Sequence, residues 1–337
     1  MSAEFLIEAP VGMLPVLIFL FGLRLLDSYK LVSLRTVLWV IAAGALAAVA
    51  AYFLNGWLVE LLGVDQRSFS RYVSPAIEEA LKAAIIVAML RTHRIGFLVD
   101  GAIMGFAVGA GFAVAENLYY LHAGGQAHIG VWIVRGFGTA IMHGGVTAIF
   151  ALLSHTLSER NMRINPILYL PGFLAAVALH SLFNHFVLPP FMMTVGVLAV
   201  LPPLLFVVFR RSAARLHEWL ELDFDADAGL LEQINSGDFP ATRIGRFLED
   251  VRVRFDGPVV VDMLCYLRLY TELALRAKGL LLMREHGLEA PVGERTREKF
   301  AELAYLERSI GRTGLLAMRP FLHMTRKDLW QLNLLDD

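Results

Sequence analysis

Seven apolar runs of bilayer length, crowded into the first 210 of 337 residues, constrain this chain more than any other feature. They lie at roughly 11–29, 37–62, 73–90, 97–121, 130–154, 166–187 and 192–209, each near the ~20 residues that cross a bilayer as a helix. The expected fold is all-α: a polytopic membrane bundle of about seven transmembrane helices, residues 1–210, followed by a helical cytoplasmic domain, residues 211–337. Composition agrees, since 57% of residues are hydrophobic, 18% are charged and the mean hydropathy is +0.58. A net charge of −1 gives no reason to expect nucleic acid as a partner. The single cysteine, Cys265, cannot form an intrachain disulfide.

The connecting loops set the orientation. Lys30 and Arg35 follow the first run, Arg91 and Arg94 the third, Arg160 and Arg163 the fifth, and Arg210, Arg211 and Arg215 the seventh. The alternate loops carry little: Arg67 and Arg71 beside Asp65, then HAGGQAHIG, then FVLPPFM. Positive charge stays inside, so the N-terminus is expected outside and the tail in the cytoplasm. Glu4 and Glu8 precede the first run where a cleavable signal would carry basic residues, so that run is expected to remain as a helix. The tail opens with RRSAARLHEWLELDFDADAG, an amphipathic stretch expected to end in a turn. Further on, Asp262, Arg268, Glu272, Arg276 and Lys278 interrupt an apolar segment too often for an eighth span. The plain reading of this tail is a packed cap or a surface for homo-oligomerisation.

Within the membrane runs stand groups that hydropathy does not predict. A charge near the bilayer centre costs about 2.5–3.5 kcal/mol on insertion scales, so such residues persist mainly where they face protein or water. The third run, SPAIEEALKAAIIVAM, holds Glu78, Glu79 and Lys82 just after a Ser-Pro helix start. Lys82 is three and four residues from the glutamates and can reach either. Successive helical residues point about 100° apart, so one glutamate can face a cavity while the other pairs with the lysine. On the fourth run Gly101, Gly105 and Gly109 form a ridge for close helix approach, and Phe112 and Glu116 continue that face. The fifth carries Thr139, His143 and Thr147 at four-residue steps. The sixth carries His180 and Asn184 on one face, extended by Gly172 and Ala176, with His185 turned away.

Counted from the ends of the runs, Glu78, Glu79, Glu116, His180 and Asn184 fall within about 10 Å of the outer edge, whereas His143 lies about 18–20 Å deep. Each residue alone has a structural explanation as an internal ion pair or a packing histidine. Three carboxylates, two imidazoles, an amide and an ammonium on four successive helices point instead to a cavity that opens outward.

These residues resemble the PrsW family of membrane-embedded proteases, related to the type II CAAX prenyl endopeptidases. Glu78, Glu79 and Lys82 form EExxK, Phe112 and Glu116 form FxxxE followed by Asn117, His143 is the intervening histidine, and His180 with Asn184 forms HxxxN. The resemblance covers roughly residues 1–210 and implies peptide-bond hydrolysis at a bacterial cytoplasmic (inner) membrane. The substrate class it implies is a membrane-anchored protein such as an anti-sigma factor. Where the CAAX enzymes carry a histidine in FxxxH, this chain has Glu116.

Two mechanisms remain open. In the preferred one Glu78 or Glu79 activates water, Glu116 shares or orients it, Lys82 supports the second glutamate, His143 assists, and His180 and Asn184 stabilise the oxyanion, with no cofactor. In the other, zinc is held by Glu78, Glu116, His143 and His180, although HExxH is absent and no thiolate is at hand. Rival functions are a proton-coupled transporter, which would show an internal repeat that is not seen, and a non-catalytic scaffold.

Overall fold

A computed structural model describes residues 3–123, 128–159, 165–236, 239–288, 294–322, 330–332 and 335. Among the described residues every regular element is helical. Arg160 and Arg163 and the centre of HAGGQAHIG lie outside them. The chain divides into two compact units, Met1–Asp27 with Leu31–Ala213, and Ser28–Lys30 with Ala214–Asp337.

The first unit holds α1 (Ala3–Leu25), α2 (Leu34–Leu62), α3 (Ser74–Arg91), α4 (Leu98–Ala123), α5 (Ala140–Ser158), α6 (Leu170–Asn184) and the first part of α7 (Pro190–Asn235). Among the described residues six helical segments are long and apolar enough to cross a membrane: Leu6–Leu25, Leu34–Leu62, Leu98–Ala123, Ile129–Ser158, Pro166–Asn184 and Pro190–Asn235. The third run does form a helix, α3, but Glu78, Glu79, Lys82 and Arg91 leave it too charged to count with them. Six of the seven expected runs thus have the length and apolarity of a span, and the third is a polar helix.

Local chemistry sets several ends. Ser33 caps α2, its Oγ accepting from Thr36 N at 3.1 Å, and Gly63 closes that helix in the left-handed region, φ 59°. Asp100, fully buried, accepts from the backbone N–H groups of Gly96, Phe97 and Gly101 at 2.8, 2.9 and 2.8 Å, which fixes the start of α4. Two helices begin before their regular part: α3 is preceded by Gln66–Ser68 and a π turn at Phe69–Val73, and α5 by Ile129–Ile133 and a π turn at Val134–Thr139.

At the centre lies α4, buried along most of its length and packed on α5 and α2. Gly105 and Gly109 of the expected ridge meet α5, where a methyl at Gly109 would fall 2.2 Å from the His143 carbonyl oxygen. Gly101 does not join that seam; Ile95 covers it. A second seam, not foreseen, sets Gly111 against the Ile41 carbonyl and Gly44 of α2 against that of Val108, each leaving 2.0 Å for a methyl.

The second unit takes the rest of α7 with α8 (Arg243–Val251), α9 (Gly257–Glu285) and α10 (Glu294–Met318). The turn expected near Gly229 is absent, and α7 runs on to Asn235. One interior glycine costs a helix about 1 kcal/mol, and the packing of Leu230 and Ile234 against the tail's core outweighs that. Met263, Tyr266, Leu273 and Leu306 lie in this core, and Lys278, 1% exposed, donates to Asp227 Oδ2 at 2.6 Å.

Candidate active site

Four helices bring their polar groups to one end of the first unit. Glu78 and Glu79 sit just past the start of α3, Glu116 near the end of α4, His143 in the first turn of α5, and His180 in the last turn but one of α6. They border a cavity of about 740 Å³ whose wall includes Glu78, Glu116, His143, His180, Asn184 and Arg135.

The two glutamates divide as their helical angles require. Glu79 is 2% exposed and turns inward, its Oε1 accepting from Lys82 Nζ at 2.7 Å and meeting His180 Nδ1 at 2.8 Å. Neither Glu79 nor Lys82 is among the described residues that line the cavity. Glu78 faces the cavity: Ser74 Oγ and Asn55 Nδ2 hold its Oε1 at 2.5 and 3.3 Å. Its Oε2 is buried with no hydrogen-bond partner, a costly state for an ionised oxygen and one that a cation would relieve.

His143 is at the centre of the cluster, although the count along its run set it deeper than the other site residues. Its Nδ1 is 2.9 Å from Lys82 Nζ, its Nε2 is 3.4 Å from Glu116 Oε2, and its ring packs on those of Phe112 and His180 at 5.2 and 4.7 Å. The depth count for Glu78 began at the apolar run, whereas helical backbone begins at Gln66. Measured from there, Glu78 is about as deep as His143 is from Ile129, roughly 18–21 Å at 1.5 Å per residue.

Asn184 lines the cavity, and its Nδ2 donates to Ser70 O at 3.0 Å, which ties α6 to the π turn before α3. His185 stays outside the cluster as expected, its Nδ1 against Ser181 O at 2.6 Å. Two cavity residues escaped the sequence reading. Arg135 donates from Nη2 to Glu116 Oε2 at 3.1 Å, and Asn55 holds Glu78. The signal existed in both cases, since each is a polar group inside an apolar run.

The ligand set for a metal can be tested on this geometry. Single atoms of Glu78, His143 and His180, all buried, lie within 4.8 Å of one another. Together with the unpartnered Glu78 Oε2, three nitrogen and oxygen donors in a buried pocket suit a divalent ion such as zinc. Contact of His180 Nδ1 with a carboxylate is the usual support for a metal-binding imidazole.

The sequence profile described as "PrsW family intramembrane metalloprotease" matches residues 32–209, more than half of the chain. The chain belongs to the PrsW family. It is accordingly a membrane protease by family, with a lipid bilayer around it and a membrane protein as substrate. No match was found among curated proteins or among solved structures. The PrsW match includes the four helices of the cluster and excludes α1 and the tail. The family's description as metalloproteases and the Glu78, His143, His180 triad are both consistent with zinc, the second of the two mechanisms open from the sequence.

Proposed function

We propose that the protein is a metal-dependent intramembrane endopeptidase that cuts a membrane-anchored protein near the outer membrane face, with an anti-sigma factor as the substrate type. The observation that carries this is the buried convergence of Glu78, His143 and His180 beside Glu116. The cluster lies at the end of α3 away from Arg91 and Arg94, which supports the outward-opening site that the loop charges favour.

Glu78, His143 and His180 would hold the ion, which supplies Lewis acidity toward the scissile carbonyl and toward water. The chain's own groups do the rest. Asn55 and Ser74 clamp one oxygen of Glu78 and leave the other to the cavity. Glu79 accepts the Nδ1 proton of His180, so its Nε2 lone pair faces Glu78 at 3.9 Å. Lys82, as an ammonium, has only protons to offer. A neutral His143 therefore accepts at Nδ1 and carries its own proton on Nε2, toward Glu116. Ligation through Nε2 would require that proton to pass to Glu116 while Lys82 gives one to Nδ1, leaving a neutral amine. Once Glu116 has released the proton to the cavity, it is placed to accept one from the attacking water and to pass it to the leaving amine.

The same Lys82 contact favours a second reading, in which His143 keeps its Nε2 proton and a glutamate activates water without metal. Metal content separates the two. The first test compares new protein N-termini in native-host membranes carrying wild type or Glu78→Gln. Loss of outward-facing juxtamembrane cuts in the variant supports a protease and identifies its substrate; matching profiles from a folded variant refute it and leave transport or scaffolding. About one zinc per purified chain, lost in His180→Ala, supports the metal mechanism; a zinc-free active enzyme refutes it.

A further inference from the structure

Arg135 is a charged wall residue to which the proposed chemistry gives no task. It stands in the π turn Val134–Thr139, a helical irregularity that recurs at functional sites. Three contacts hold its guanidinium: Nη2 donates to Glu116 Oε2 at 3.1 Å, Nε donates to Asn117 Oδ1 at 2.8 Å, and Cζ lies 3.9 Å from the centre of the Tyr120 ring. Asn117 is itself 1% exposed and donates from Nδ2 to the Gly12 carbonyl of α1 at 2.7 Å. The π turn rests directly on α1 as well, since a methyl at Gly136 would fall 2.1 Å from Val11 O.

Resting on the protease reading above, we infer that Arg135 is a positioning residue for Glu116 and that α1 sets its register. Glu116 Oε2 takes both Arg135 and His143, so Oε1 is the oxygen left for the reacting water. A guanidinium can bond two acceptors in its plane and stack on a ring with its face. Lysine cannot reproduce all three contacts. The consequence is that α1, which lies outside residues 32–209, belongs to the working active site through the chain Gly12, Asn117, Arg135, Glu116.

The test uses the full chain in lipid nanodiscs and the membrane substrate identified by the Glu78→Gln comparison. Arg135→Gln is expected to lower kcat by roughly 10- to 100-fold, the scale of a group misplaced by about 1 Å, with KM within about twofold and zinc content unchanged. Arg135→Lys recovers only part of the rate, and free guanidinium restores part of it to Arg135→Ala. A wild-type kcat in Arg135→Gln, a loss confined to KM, or a loss of zinc would overturn the inference. Thermal melting of Arg135→Gln, Glu116→Gln and the double variant provides a readout independent of cleavage. Non-additive shifts support the contact and additive ones overturn it. If the wild type cuts nothing, the protease reading fails by itself, and the melting cycle still decides whether Arg135 holds Glu116.

Discussion

Replacing Gly109 by alanine adds one methyl whose nearest neighbours are backbone atoms, yet the structure predicts that it disables the site. The new carbon would sit 2.2 Å from the His143 carbonyl oxygen, 2.5 Å from its carbon and 2.7 Å from Gly144 Cα. These are backbone atoms of a buried helix and cannot rotate away. Ordinary contact begins near 3.4 Å, so α4 and α5 must part by about 1.2 Å at this level. Overpacking of this kind costs about 1–3 kcal/mol, which a bundle can survive. Catalysis is less tolerant, because the shift moves His143 on α5 away from Glu116 on α4, and about 1 Å of misplacement is worth on the order of 100-fold in rate. The assay pairs cleavage of the identified substrate with thermal melting, using Gly22→Ala as control because nothing lies within 4 Å of a methyl there. A folded Gly109→Ala variant with wild-type cleavage would refute the claim that this seam sets the register of the site.

The two glutamates should separate cleanly. Glu79→Gln strips a buried ammonium of its countercharge while keeping one oxygen to accept from Lys82 and His180, so a loss of about 3–5 kcal/mol in melting stability is expected. Glu78→Gln removes an oxygen that has no hydrogen-bond partner, so it should abolish cleavage while the metal-free variant melts no lower than wild type. Zinc at about 100 times its dissociation constant should stabilise wild type by about 2.7 kcal/mol and leave His180→Ala unmoved; equal shifts in both proteins would place the ion elsewhere. In the tail, Lys278→Met leaves Asp227 buried and unpaired and should cost about 3–5 kcal/mol, much of it recovered in Lys278→Met/Asp227→Leu. Scanning calorimetry that finds the single variant as stable as wild type would refute a structural role for that pair.

By itself the sequence determined that this is a helical membrane protein and which of its helices carry polar groups. Apolar length reports a span, and a polar group inside one is too costly to be incidental, so Glu78, Glu116, His143 and His180 were all legible. The turn of about 100° between successive helical residues also foretold that one glutamate of the pair would turn to Lys82 and the other to the cavity. Which glutamate did which, and that Glu78 lay about as deep as His143, was decided only by tertiary structure. Periodicity fixes directions around one helix but says nothing of the height of one helix against the next. That height is set here by bare glycine contacts such as Gly109 on the His143 carbonyl, and by π turns before α3 and α5, each of which adds a residue and rotates the helix beyond it. Arg135 and Asn55 join the site through contacts between distant helices, which no pattern along a single helix encodes.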